Sequence, residues 1–252
     1  MSRDWILLRG LSREAGHWGG FPERLLDQLP AGSRVHRLDL PGNGRWHQLE
    51  SPTRIAKITE HARTQLAELA LPAPPLLVGL SLGGMVAVDW AARHPRELAG
   101  VALVSSSLAG HSPWWLRLRQ TALPLMLAAL AWPSVRWRER CVFELTSSQP
   151  RPPPGLIEAW CELRRRHPVT ALNFARQLRA ASGYRAPQAC PGLPLILLAG
   201  EQDRLVSPEC SRRTAECWQM PLRLHPQAGH DLPLDAPLWL AKELAAWSSA
   251  LP

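Results

Sequence analysis

The sequence predicts an α/β domain: a mostly parallel sheet of about six strands flanked by helices, with a helical cap inserted into it. Three observations carry this expectation. Short apolar runs alternate with amphipathic stretches in both outer parts of the chain. That alternation breaks once, in the middle. The middle segment is rich in helix formers and arginine. Alternating strands and helices need crossover connections, and crossovers build a parallel sheet covered on both faces.

The strand candidates are residues 4–8 (DWILL), 34–40 (RVHRLDL), 75–80 (PLLVGL), 100–105 (GVALVS), 194–200 (PLILLAG) and 221–226 (PLRLHP). Several are runs of Val, Ile and Leu with little alternation, as expected of strands buried on both faces. Helices are expected between them at about 20–29, 52–70, 82–94, 208–219 and 235–249. The last places Leu238, Leu240, Ala241, Leu244, Ala245 and Trp247 as a core-facing stripe.

Residues 107–190 break the rhythm. PWWLRLRQTALPLMLAALAWPSVRWRER is followed by a proline-rich joint, SQPRPPPG, and then by LIEAWCELRRRHPVTALNFARQLRAAS. The segment reads as three or four helices without a strand, and the joint as a stiff turn between helices. The expected division is therefore a core of 1–106 and 191–252, with the cap at 107–190.

Charge falls on the same segment. Between Ser112 and Arg185 there are twelve Arg and four Glu, with no Lys or Asp, which accounts for the whole +8 excess of the chain. Such a surface can steer an acidic partner. Arg outnumbers Lys 27 to 2 throughout, a bias that explains the choice of Arg but not the scarcity of acids here. No nucleic-acid motif accompanies the charge, so nucleic-acid binding is not expected.

At 252 residues, 46% apolar, the chain has ample material for one large core. No apolar run approaches the roughly 20 residues of a membrane span. The chain enters strand-like sequence at once, without a signal-peptide pattern. A soluble, cytoplasmic protein is expected. The five cysteines are odd in number and lack CxxC spacing, so they read as free thiols.

The chemistry concentrates in LLVGLSLGGMVAVDWAARHP. A buried strand ends in Gly79-Leu80-Ser81-Leu82-Gly83 and a helix follows. This is G-x-S-x-G between a strand and a helix, the context that makes the motif informative. A serine on so sharp a turn leaves no room for side chains two residues away on either side. The turn lifts Ser81 above the sheet edge at a helix N-terminus, where developing negative charge is favoured.

A nucleophilic serine needs a base, and the base needs an orienting acid. Asp203 lies in EQDRLVSP after one strand, and His230 in QAGHDLPLDAP after the next. Both loops leave carboxyl ends of strands, where open α/β sheets bind ligands. Glu201 and Asp231 are rival acids; Glu201 sits nearer its strand end, and Asp231 adjoins the histidine it would have to orient.

Two further residues are candidate substrate-binding groups. His17, in AGHWGGF, either lines the pocket or packs structurally. Arg9 ends the first strand, just before the turn at Gly10. Its guanidinium either braces that loop through backbone carbonyls or recognises an anionic group on the substrate.

These residues resemble the α/β-hydrolase superfamily over nearly the whole chain: LLRGL, LDLPGNG, GLSLGGMVA, GEQDRLVSP and AGHDLPLDAP all have counterparts in it. The nearest similarity is to small capped carboxylesterases, the pimeloyl-[acyl-carrier protein] methyl ester esterase group. The resemblance implies Ser81 as nucleophile, His230 as base and Asp203 as acid. It implies the backbone N–H groups of Leu11 and Leu82 as oxyanion donors, with neither cofactor nor metal. The chain departs from the family twice. Its first strand corresponds to the family's third, so about six strands are expected rather than eight, and Arg9-Gly10 replaces the usual His-Gly of the oxyanion loop.

The expected activity is hydrolysis of a carboxylic ester or thioester with an apolar acyl group, through an acyl-enzyme. The expected partners are that small acyl substrate and an acidic acyl-carrier protein docking on the Arg-rich cap. Lactonase and C–C hydrolase chemistry share the same residues, and a non-catalytic binding protein on the hydrolase scaffold is the contrasting reading.

Overall fold

The computed structural model describes residues 2–131 and 134–251. Six strands form one sheet: β1 (Asp4–Leu8), β2 (Arg34–Leu38), β3 (Leu76–Leu80), β4 (Gly100–Val104), β5 (Leu195–Gly200) and β6 (Leu222–His225). Their order is β2-β1-β3-β4-β5-β6. Every pairing is parallel, so the sheet is wholly rather than mostly parallel. All six lie within the stretches expected from the sequence.

The outer helices are α1 (Phe21–Leu26), α2 (Ile55–Glu68), α3 (Leu82–Arg93), α9 (Glu209–Trp218) and α11 (Pro237–Ser249), with the short α10 (Leu232–Asp235) before the last. Side chains alternate across β1 with the period of two that a strand imposes. Ile6 and Leu8 join Ile58, Val86 and Trp218 on the face covered by α2, α3 and α9. Trp5 and Leu7 join Phe21, Leu25, Leu240 and Leu244 on the face covered by α1 and α11. With both faces covered, every residue of β1, β3, β4 and β5 is buried, which is why these strands read as unbroken apolar runs. The edge strands β2 and β6 carry the polar residues Arg34, His36, Arg37, Arg223 and His225.

Between β4 and β5 the chain forms α4 (Trp114–Arg117), α5 (Leu123–Ala131), α6 (Val135–Thr146), α7 (Leu156–Arg166) and α8 (Ala171–Gly183). Among the described residues that is five helices rather than three or four; α4 is a single turn of 4 residues. Ser134 caps α6 and Thr170 caps α8, each hydroxyl accepting a backbone N–H in the first turn. The proline-rich joint ends at Gly155, whose φ of +77° sets the chain into α7. Phe143, Ile157, Trp160 and Cys161 form a core of this segment's own. A parallel bridge between Ala109 and Arg185 joins its two ends. Among the described residues, no helix is long and apolar enough to cross a membrane.

Candidate active site

The strand order reverses direction between β1 and β3, since one connection leaves each side. A crevice therefore opens at the carboxyl ends of these two strands. Ser81 stands there, alone between the end of β3 and the start of α3. Its backbone is in the left-handed region, at φ +56° and ψ −113°. Such a conformation costs a non-glycine residue about 1–3 kcal/mol and persists only where surroundings enforce it. The enforcement is visible. The Ser81 N–H donates to the Val104 carbonyl at 2.9 Å, and its own carbonyl accepts from Ser106 Oγ at 2.8 Å and Gly84 N at 3.0 Å. A Cβ on Gly83 would lie 2.4 Å from the Leu8 carbonyl oxygen, and one on Gly79 2.4 Å from the Gly83 oxygen. The elbow thus closes onto β1 only because both positions lack side chains.

The loop after β5 holds Asp203, 1% exposed. One carboxylate oxygen, Oδ1, accepts the N–H groups of Leu205 and Val206, both at 2.8 Å. The other, Oδ2, lies 2.7 Å from His230 Nδ1. With Asp203 accepting at Nδ1–H, a neutral His230 keeps its Nε2 lone pair free, the form a general base requires. Of the rival acids, Glu201 turns outward to Arg212. Asp231 pairs with Arg9 instead.

Arg9 stands on the wall of the cavity that holds Ser81 and His230, and its guanidinium has a partner other than the expected backbone carbonyls. Its Nη1 and Nη2 donate to the two carboxylate oxygens of Asp231 at 3.0 and 2.7 Å, a two-pronged ion pair with both residues buried. The guanidinium also lies over the Trp18 ring, 5.1 Å from its centroid. The two terminal nitrogens are engaged by a carboxylate of the protein rather than by backbone carbonyls. Burial opposes ionisation of Asp231, but the Arg9 guanidinium outweighs it and holds the carboxyl below the usual range.

His17 is buried behind the site. Its Nδ1 accepts the Glu14 N–H at 3.1 Å, its Nε2 is 2.8 Å from Arg13, and its ring packs against Trp160. Burial, with Arg13 and Arg9 nearby, pushes its pKa well below the ordinary value. It lines a small hollow beside Glu14 and His167 instead of the cavity that holds Ser81 and His230.

The cavity at the elbow is about 370 Å³ and is lined by Ser81, His230, Leu11 and Leu82 together. The structure therefore brings Ser81, the His230–Asp203 pair and both expected oxyanion residues to one place. Leu82 opens α3, so its N–H has no acceptor within the helix. Leu11 lies in the turn closed by the Arg13 N–H to the Gly10 carbonyl. The remaining wall is largely apolar and includes Met85, Met126, Val142, Phe174 and Leu178. A cavity of this size and lining suits a small, mostly apolar ligand. Cys210, near the acid loop, is buried and its thiol is pushed up to about 11 by that burial, so it is a poor nucleophile. Among the described residues, no three His, Cys, Asp or Glu side chains gather as a metal site.

Several residues that hold this geometry were not singled out in the sequence. Arg119 donates to the Asp203 carbonyl at 2.8 Å, and Asp235 accepts the Gly229 N–H at 2.7 Å and the Ser148 N–H at 2.8 Å. The Asp231 N–H donates to the Thr146 carbonyl at the end of α6. The segment between β4 and β5 thus holds both the acid loop and the histidine loop. Gln177 of α8 accepts the Ser12 N–H at 2.9 Å and donates to Asn43 at 2.9 Å, steadying the turn after β1. Glu139 of α6, fully buried, bridges Arg13 to Arg164. Of these, only Asp235 had a local signal, the Asp five residues after the histidine in HDLPLDAP.

Comparison with known proteins agrees with this architecture. The sequence pattern of the alpha/beta hydrolase family matches residues 5–243. The pimeloyl-[acyl-carrier protein] methyl ester esterase of Edwardsiella ictaluri is 34% identical over 134 residues, 53% of this chain and 42% of that protein. The Serratia marcescens protein of the same name is 28% identical over 234 residues, 86% of this chain and 82% of that one. In the first three such relatives the matched region is only about four tenths of their own length. The solved structure of a thermophilic esterase from Thermogutta terrifontis superposes with a TM-score of 0.77 at 20% identity, covering 100% of this chain and 91% of that one. At that identity the likeness speaks for the fold.

Proposed function

The chain belongs to the alpha/beta hydrolase family, and from that premise we propose that it is a serine hydrolase cleaving a carboxylic ester or thioester with an apolar acyl group. One observation carries this reading: a serine held in the left-handed region shares a cavity with a histidine bonded to a buried aspartate. In the proposed reaction, His230 Nε2 takes the Ser81 proton as Ser81 Oγ attacks the carbonyl carbon. Asp203 holds the imidazole in the required tautomer and stabilises the imidazolium. The N–H groups of Leu11 and Leu82 stabilise the oxyanion, each such donor being worth roughly 10²–10³ in rate. His230 then protonates the leaving group, and water repeats the sequence on the acyl-enzyme.

The segment between β4 and β5 acts in this reading as a cap that shapes the acyl site, because Met126, Val142, Phe174 and Leu178 all come from it. The names of the relatives favour an acyl chain presented on an acyl-carrier protein. Arg136, Arg140, Arg165 and Arg166 on α6 and α7 are exposed and pair with Glu158, Glu144 and Glu162, which leaves this face with one net positive charge toward such a partner. A cytoplasmic setting belongs to the same reading; all five cysteines are free.

A p-nitrophenyl ester series from acetate to laurate tests this, with a carrier-bound acyl methyl ester alongside. The expected optimum is a medium chain. Activity on the carrier-bound ester should fall as salt rises, because exposed charges are screened within about 10 Å at 0.1 M salt. No turnover of any ester would favour a binding protein on the same scaffold. Salt-independent turnover of the carrier-bound substrate would remove the docking face from the account.

A further inference from the structure

Arg9 and Asp231 bring together two parts of the site that are far apart in the chain. Arg9 immediately follows β1 and lies two residues before Leu11; Asp231 immediately follows His230. Their guanidinium–carboxylate fork spans 222 residues of sequence and is buried in the cavity wall. Few side-chain contacts fix two groups as fully, because a planar fork sets both distance and orientation. On the Arg9 side, a Cβ on Gly10 would lie 3.1 Å from Ser81 Cβ. A shift of Arg9 therefore moves the turn against the elbow. On the Asp231 side, the backbone is anchored at Thr146, so a shift of this carboxylate acts on His230.

We propose that Arg9 and Asp231 are positioning residues, a buried clamp that fixes the Leu11 turn relative to the His230 loop and balances charge beside the base. The proposal rests on the serine-hydrolase reading. The charged groups around His230 set the balance. Asp203 faces it from the loop after β5, and Asp231 adjoins it. Arg9, paired with Asp231, and Arg13, paired with Glu139, come from the turn after β1, with Arg164 on the other side of Glu139. Arg117 and Arg138 stand on the cavity wall. Removing the Asp231 charge leaves Arg9 uncompensated and disfavours the imidazolium. Removing the Arg9 charge leaves Asp231 uncompensated and favours it.

The test is the pH profile of kcat/KM on a soluble p-nitrophenyl ester, with active sites counted by a phosphonate that labels the nucleophile. Asp231→Asn should move the acid limb to lower pH and Arg9→Met to higher pH, each by roughly half a unit to one unit. In both, kcat should fall roughly 10–100-fold, as misplacement near 1 Å can do, with KM within about twofold. Arg9→Lys keeps the charge and loses the fork, so kcat should fall while the acid limb stays in place. Limbs moving in the same direction, or full kcat per labelled site with only a lower Tm, would overturn the clamp. A wild-type enzyme that hydrolyses the ester without labelling at Ser81 would instead overturn the mechanism beneath it.

Discussion

Ser81→Ala abolishes ester turnover, with kcat falling by roughly 10⁴–10⁶ while the fold is kept, if Ser81 is the nucleophile. Alanine is no more at ease than serine at φ +56°, so the elbow keeps its strain and the variant should melt near the wild-type temperature. Ser81→Gly separates the two roles of the position. It removes the hydroxyl, so it should be equally inactive. It also removes the Cβ that is strained there, a relief of about 1–3 kcal/mol, against which glycine gives back about 0.5–1 kcal/mol in chain entropy. The expected result is an inactive protein more stable than wild type by about 1 kcal/mol, read from its denaturation midpoint. A stable glycine variant that stays active would remove Ser81 from the mechanism. An inactive variant of lower stability would show that the elbow's conformation is not held at a cost.

The second large effect is on stability. Glu139 is fully buried between Arg13 and Arg164. Arg13 also lies over the Trp160 ring, 4.3 Å from its centroid. Burial alone would raise the Glu139 pKa, but the two guanidinium groups outweigh it and hold the carboxyl below its ordinary range. Burial in turn pulls Arg13 down, against the pull of Glu139. Glu139→Ala leaves two guanidinium groups with no counter-charge at the junction of α6, α7 and the turn after β1. Breaking a buried pair in this way costs about 3–5 kcal/mol. At this chain length that corresponds to a fall in Tm of roughly 6–20 °C, measured by calorimetry or circular dichroism. Replacing all three residues with apolar ones of similar volume should recover much of the loss. A Glu139→Ala protein with unchanged Tm would mean that the network is solvated rather than buried.

These two residues also mark what was and was not legible in the sequence. Ser81 was readable because the constraint on it is local: a glycine two residues away on each side, a strand before and a helix after. The strands were readable for a similar reason, since burial on both faces leaves unbroken runs such as ILL at 6–8 and LILLA at 195–199. His230 is legible from its position after a strand, whereas only the resemblance to the hydrolase superfamily separates Asp203 from Glu201 and Asp231. Glu139 was not readable, because a lone glutamate in RWRER looks like part of a solvated face until Arg13 is seen to reach it from 126 residues away. Arg9 is the sharper case. Its place at the end of β1 was plain, but its partner was not. In the sequence Asp231 reads only as a rival acid for the neighbouring histidine, and the contact with Arg9 exists only once β1 and the histidine loop meet in space. His17 sat in a promising turn and proved to be packing, its ring turned toward Trp160.

The central claim, that Ser81 attacks an acyl carbonyl with help from His230, has one direct measurement. A slowly turned-over phosphonate ester is incubated with the wild-type protein, and the adduct is mapped by tandem mass spectrometry. The account predicts one phosphonyl group per chain, on the peptide containing Ser81, with loss of esterase activity in step with labelling and no adduct in His230→Ala over the same time. A protein that is fully labelled elsewhere, or that loses no activity as Ser81 is labelled, would contradict it.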